Sequence, residues 1–273
     1  MRAALKSCLG GHLRAIHTLI RLPISEDAGP IGEDMRDNLI PVIVGRKWQI
    51  AEGYHAVELR TTSKSALPPF DDGSCVTLCL NSAGDKERIY PLLRVSSLSD
   101  GYVVGTRQEC DGRTDSLLSR FPLNERDEVF VGTPKSPPTI LDDRTRSILF
   151  AGGIGAASIA GIAKRLASAG QRFEVHNFAR SADRAVVREE FDALRSHGKV
   201  YHHFGLSDDL FAQKSSHAMS PTHVNTQIYC SGPPAFMDLI ERQAREWVYA
   251  ANVHKIALGD QTATSAAMRR RGD

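Results

Sequence analysis

Residues Ser147-Ile148-Leu149-Phe150-Ala151 run apolar and break at once into Gly152-Gly153-Ile154-Gly155. Downstream, Ile159, Ile162, Ala163 and Leu166 recur at helical spacing, and Gly170 stands where a helix C-cap belongs. The pattern predicts strand, glycine turn and helix. Such a junction points backbone N–H groups outward, adds the positive end of the helix dipole, and lacks the Cβ atoms that would hold an anion at a distance. A nucleotide pyrophosphate is the natural guest. The alternative is a tight βα turn that uses glycine for its dihedral freedom alone. The turn lies past the midpoint of the 273-residue chain. A dehydrogenase built on a simple dinucleotide fold opens with its glycine loop near the N-terminus, so a separate domain is expected to come first.

That first domain reads as β. Val42-Ile43-Val44, Lys47 to Ala51 and His55 to Thr61 look like successive strands, with Glu52-Gly53 as a turn. Cys75 to Leu80, Arg88 to Leu93, Tyr102 to Arg107 and Glu128 to Val131 continue the series, with Pro and Gly between them. Short strands so spaced predict a small antiparallel barrel over residues 41–142, with Asp142-Asp143 at the boundary. Beyond it, strands alternate with helices. Phe173 to Ala179, a helix from about Arg184 to Ser196, Lys199 to Phe204, a polar loop over Gln213 to Thr222, the strand Gln227 to Cys230 and a helix from Pro234 to about Trp247 follow the first unit. This alternation predicts a parallel α/β domain over residues 143–255. The expected fold is therefore an antiparallel β-barrel followed by a parallel α/β nucleotide-binding domain. Residues 1–40 read as an extension and 256–273 as a tail.

Bulk properties narrow the function classes. A net charge of +2 gives no reason to expect nucleic acid. No apolar run approaches the roughly 20 residues of a membrane span. Five cysteines (Cys8, Cys75, Cys79, Cys110 and Cys230) lack iron–sulfur or zinc spacing and suit a reducing cytoplasm, and no metal site is expected. His202 and His203 fall on opposite faces of one strand without a metal-like partner, and no nucleophile elbow supports hydrolysis.

Six segments, taken in order, carry a resemblance. They are Leu67-Pro68-Pro69-Phe70-Asp71-Asp72-Gly73-Ser74-Cys75-Val76, Arg88-Ile89-Tyr90-Pro91, Gly112-Arg113-Thr114-Asp115-Ser116, the Ala151–Ser158 turn, His176-Asn177-Phe178-Ala179-Arg180-Ser181, and Tyr229-Cys230-Ser231-Gly232-Pro233-Pro234-Ala235-Phe236-Met237. In this order and spacing the chain resembles the ferredoxin reductase-like flavoproteins, nearest the branch of phthalate dioxygenase and vanillate O-demethylase reductases, from about Pro41 to His254. The resemblance implies a hydride passed from a nicotinamide nucleotide to a flavin, and electrons passed onward singly to a separate ferredoxin or oxygenase component. FMN is the implied flavin, with FAD as the alternative; NADH is the implied nucleotide, with NADPH as the alternative.

The resemblance also implies roles. Tyr90 packs against the flavin and Arg88 pairs with its phosphate, with Pro91, Gly112 and Ser116 completing that site. Gly152, Gly153 and Gly155 hold the nucleotide pyrophosphate, with Ala157 where the family closes the loop. Arg180 and Ser181 face the adenosine ribose, and Ser231-Gly232-Pro233 flank the nicotinamide. Tyr90 and Ser231 thus stand beside the reacting rings. Departures cluster at these positions. Pro91 replaces a serine and removes a donor, Thr114 and Asp115 replace glycines, Ala157 and Ser158 replace Thr-Pro, and Ser231 replaces a cysteine. Residues after His254 contain no cysteine, so the family's C-terminal [2Fe-2S] domain is not expected among them. Two functions follow: an NAD(P)H-dependent flavin reductase, or a reductase-fold remnant or regulatory subunit that binds cofactor weakly or not at all.

Overall fold

A computed structural model describes residues 39–62, 66–80, 87–95, 101–107, 124–220 and 225–260. Six antiparallel strands form the first sheet: β1 (Ile40–Ala51), β2 (Tyr54–Thr61), β3 (Cys75–Cys79), β4 (Arg88–Pro91), β5 (Gly101–Arg107) and β6 (Glu128–Val131), in the order β4-β3-β6-β1-β2-β5. A bridge between Leu92 and Val104 joins the two ends and closes the barrel. Alternate residues Val42, Val44, Leu59, Val76, Leu78 and Val104 fill its interior, as period-2 patterning requires. The two strands expected over 42–51 are one. Its register with β2 shifts between Val44 and Lys47, a bulge that breaks the alternation read from the sequence without ending the strand. Glu52-Gly53 is the hairpin turn, with Gly53 at φ +75°. A further short strand, β12 (Gly259–Asp260), pairs antiparallel with β4 from within the stretch read as tail.

The second sheet is parallel throughout: β7 (Arg146–Gly152), β8 (Phe173–Ala179), β9 (Lys199–Phe204), β10 (Thr226–Ser231) and β11 (Val253–Lys255), in the order β11-β10-β7-β8-β9. Helix α1 (Ala156–Ser168) lays Ile159, Ile162 and Leu166 on one face, against Leu149 and Val175. Phe191 of α2 (Arg188–Ala193) joins the same cluster. On the other face, α3 (Asp208–Met219) and α4 (Pro234–Ala244) pack Met219 and Ile240 over Ile148, Phe150 and Ile228.

Two expectations are corrected. Residues 184–196 are not one helix, because Val187 adopts φ +50° and α2 is flanked by 3₁₀ turns at Ala182–Arg184 and Leu194–Ser196. Residues 213–219 are not loop but the second half of α3. Ser207 caps that helix by accepting from Leu210 N, and Ser215 Oγ is within reach of Phe211 O at 2.9 Å and Gln243 Oε1 at 2.6 Å. Hydroxyl and amide groups seal the α3–α4 contact where apolar residues were sought.

The two sheets lie within one compact unit spanning Met35–Asp273, and their seam is tight. Gly161 of α1 faces Gly73 of the barrel so closely that a Cβ at Gly161 would overlap Gly73 N. A Cβ on Gly73, at φ +83°, would lie 2.7 Å from Ser158 O. Beside them, Cys75 Sγ lies 3.3 Å from Ser158 Oγ.

Candidate functional site

From β7 the neighbouring strands β8 and β10 lead off in opposite directions, which opens a crevice at the C-terminal ends of β7 and β10. The glycine turn occupies that crevice, and its three glycines answer different needs. Gly153, at φ +54°, holds a left-handed conformation, and a Cβ there would lie 2.8 Å from Tyr54 Oη. A Cβ on Gly155 would lie 2.6 Å from Ser231 O, so this glycine lets the turn lie against β10. A Cβ on Gly152 would make only ordinary contact, 3.5 Å, with the Phe236 ring.

Above the turn is a cleft of about 400 Å³. Gly152, Gly153, Arg180 and Pro233 line it, as expected of a nucleotide site. So do Tyr54, Arg107, Phe178, Arg184, His203 and Phe211, which sequence reasoning did not assign. Phe236 completes an aromatic wall: Phe211 stacks on it at 5.1 Å, Phe178 meets Phe211 edge-on at 4.9 Å, and Phe178 stacks on His203 at 4.5 Å. Such a wall suits a planar heteroaromatic ring, and the arginines at its rim suit phosphate. Ser181 Oγ is buried without a hydrogen-bond partner, an arrangement that a bound hydroxyl would relieve. The residues present therefore fit a dinucleotide.

The other expected residues lie elsewhere. Ser231 is fully buried, and its hydroxyl donates to Ile256 O at 2.8 Å, away from the cleft. Cys230, on the opposite face, is buried among Phe150 and Ile228, and burial pushes its thiol up to about 12. Gly232 sits where β7 and β10 converge, its Cβ position 3.3 Å from Gly152 Cα. Ala157 faces a small groove with Gly73, Leu92 and Lys164.

On the barrel side, Arg88 and Tyr90 are both buried, and Tyr90 joins the barrel core with Val76 and Leu92. Pro91 does meet the glycine turn. A Cβ on Gly105 would lie 2.7 Å from Ile154 Cδ1 and 3.4 Å from Pro91 Cγ, so the three pack together at the seam. Gly112, Asp115 and Ser116 lie outside the described residues.

A polar network borders the cleft. Glu174 Oε2 accepts from Arg146 at 2.8 Å, Glu174 Oε1 lies 3.0 Å from His176 Nε2, and His176 Nδ1 lies 3.0 Å from His203 Nε2. Burial works to raise the Glu174 carboxyl, but hydrogen bonds from His176 and Arg146 outweigh it and hold the group at about 2. Burial, then the charges of His176, Lys214 and His202, push His203 down to about 4. Among the described residues, no helix is long and apolar enough to cross a membrane.

No protein-family profile matches the chain. It is similar to the phthalate dioxygenase reductase of Burkholderia cepacia, 28% identical over 215 residues that cover 77% of this chain and 65% of that one. It is equally similar to the vanillate O-demethylase oxidoreductase of Acinetobacter baylyi, 28% identical over 206 residues, 75% of this chain and 63% of that one. The chain thus spans a little under two thirds of the length of these relatives. Among solved structures, phthalate dioxygenase reductase superposes with a TM-score of 0.61 at 26% identity, covering 81% of this chain and 68% of the other. The ferredoxin reductase of carbazole 1,9a-dioxygenase has the same fold, with a TM-score of 0.61 at 18% identity over 81% of this chain and 69% of that one. Motif order, strand topology and these likenesses agree: the chain has the ferredoxin reductase-like fold and is similar to the phthalate dioxygenase and vanillate O-demethylase reductases.

Proposed function

We propose that this chain is the reductase component of an oxygenase system, taking reducing equivalents from NADH and delivering them through a flavin to a separate iron–sulfur or oxygenase partner. The observation that carries this reading is the glycine turn at the sheet's switch point, opening onto a cleft with an aromatic wall and arginine rim. Gly152 and Gly153 leave room for the pyrophosphate, Arg180 and Arg184 meet its charge, and Phe178, Phe211 and Phe236 receive a base. Arg88 and Tyr90 are the chain's own contribution to a flavin site, FMN being favoured over FAD by the branch. Bound flavin supplies the step from a two-electron donor to a one-electron acceptor. The free thiols of Cys75, Cys79 and Cys230 suit a reducing cytoplasm.

A second reading, a regulatory subunit that binds nucleotide without flavin, draws on one observation. Pro91 and Ile154 already fill the seam over Gly105, and Ser231 is committed to Ile256 O. Anaerobic mixing of the FMN-loaded protein with NADH separates the two. Rapid bleaching of the flavin absorbance, with NADH preferred to NADPH, is the expected result. Tight NADH binding by a protein that takes up neither FMN nor FAD would establish the regulatory reading instead. Binding of no nucleotide at all would overturn both.

A further inference from the structure

A line of polar contacts crosses the parallel sheet from its N-terminal edge to the cleft. It begins at Arg146 and Glu174, which open on a groove lined also by Arg172 and Lys199, and passes through His176, only 6% exposed. It ends at His203 on the cleft wall. Rings hold it in place, with His176 stacked on Tyr201 at 5.1 Å and parallel to His203 within 3°.

The proton count along this line is constrained. With Glu174 ionised, the Nε2–H of His176 faces the carboxylate, which leaves Nδ1 to accept from Nε2–H of a neutral His203. One more proton gives the pair a single positive charge across that hydrogen bond, with Glu174 as the balancing charge at the far end. In the free protein, burial and the neighbouring cations oppose that proton. Arg180 and Arg184 from the turn after β8, Asp208 from α3 and Arg107 from the barrel line the cleft with His203, and the charge of Lys214 acts on it from α3. His202 lies on the other face of β9, where it pairs with Asp192. Asp208 is the only carboxylate among these groups, so an anion entering the cleft tips the balance toward a protonated His203.

We propose that His203 is a further contact for the phosphates of the bound dinucleotide, and that binding draws one proton from the buffer onto the His203–His176 pair. The inference rests on the reading of the cleft as a nucleotide site. Only an N–H bond forms, and no electron moves.

Calorimetric titration of the full chain with NADH, in two buffers of different ionisation enthalpy, tests it. The expected result is net uptake of about half a proton at pH 6, with affinity rising about tenfold from pH 8 to pH 5, as an upward shift of about two pKa units on binding requires. His203→Gln should lose both the uptake and the pH slope, and His202→Gln, on the opposite face, should keep them. An NMR titration should place the His203 imidazole below pH 5 in the free protein, moving upward with NADH or with inorganic pyrophosphate. Saturable NADH binding without buffer-dependent heat, or with the same pH slope in His203→Gln, would overturn this inference and leave the function standing. A protein that binds no NADH at any pH would overturn the function first and this inference with it.

Discussion

The two regions proposed to hold cofactors differ in a way that their motifs foreshadow. On the nucleotide side the glycine turn is retained and the space above it is open, about 400 Å³. On the barrel side, where Pro91 stands in place of a serine, Pro91 and Ile154 pack beside Gly105. The retained glycines thus border open space, and the altered residue Pro91 borders a packed contact. The lesson is that a motif residue is informative only through what its neighbours leave free. Gly155 and Gly152 stand in one turn, yet the first accommodates β10 and the second faces Phe236.

Four substitutions can break or sharpen this contrast. The largest effect is expected from Gly161→Val, because the new side chain meets backbone atoms of Gly73 rather than a movable side chain. It should destabilise by about 3 kcal/mol or more, read by urea denaturation. A small loss would mean that the seam yields and that the packing over Gly105 is no obstacle to a flavin. Next is Glu174→Gln, which should cost about 2 kcal/mol at pH 7 through the loss of a paired, mostly buried carboxylate. The sign follows from a folded pKa of about 2 against the ordinary 4.5. The stabilisation is present above pH 4.5 and lost as pH falls through about 2, so wild type and variant should converge in acid.

Gly152→Val should leave stability nearly intact, since its Cβ has ordinary contacts, but weaken NADH binding about tenfold by intruding on the cleft. Gly153→Val is the poorer probe, because its φ of +54° and Tyr54 Oη penalise any side chain before a ligand arrives. Unchanged NADH affinity in Gly152→Val would remove the nucleotide from this cleft. The smallest effect is expected from Pro91→Ser, which restores a backbone donor and trims the packing over Gly105. FMN affinity, followed by fluorescence quenching, should improve only a few-fold. No gain would place the barrier to flavin elsewhere than at Pro91.

Much of the fold was legible because its periodicities are local. Ser147 to Leu166 carries a strand, a turn and a helix in an unbroken pattern, and short β-rich runs between Pro and Gly mark the barrel strands. What escaped depended on distant partners. Helix α3 looked like loop because Ser215 is buried by hydrogen bonds to Phe211 and Gln243, which hydropathy cannot register. The aromatic wall joins Phe178, Phe211 and Phe236, each unremarkable in its own element. Tyr54 fell between the turn and the strand His55 to Thr61 with no role assigned, and only the hairpin's docking brings its hydroxyl to Gly153. Ser231 was placed by motif, but its buried hydroxyl answers to Ile256, a residue outside the motif.

The facing glycines at the seam have a consequence for how this protein can change over generations. Gly73 and Gly161 each occupy the space that the other's side chain would need. Neither can be exchanged while its partner's backbone stays in place, so single-step sequence drift has no foothold here. The surfaces on either side can vary around this point, whereas the close approach of the two halves tolerates no side chain at either glycine.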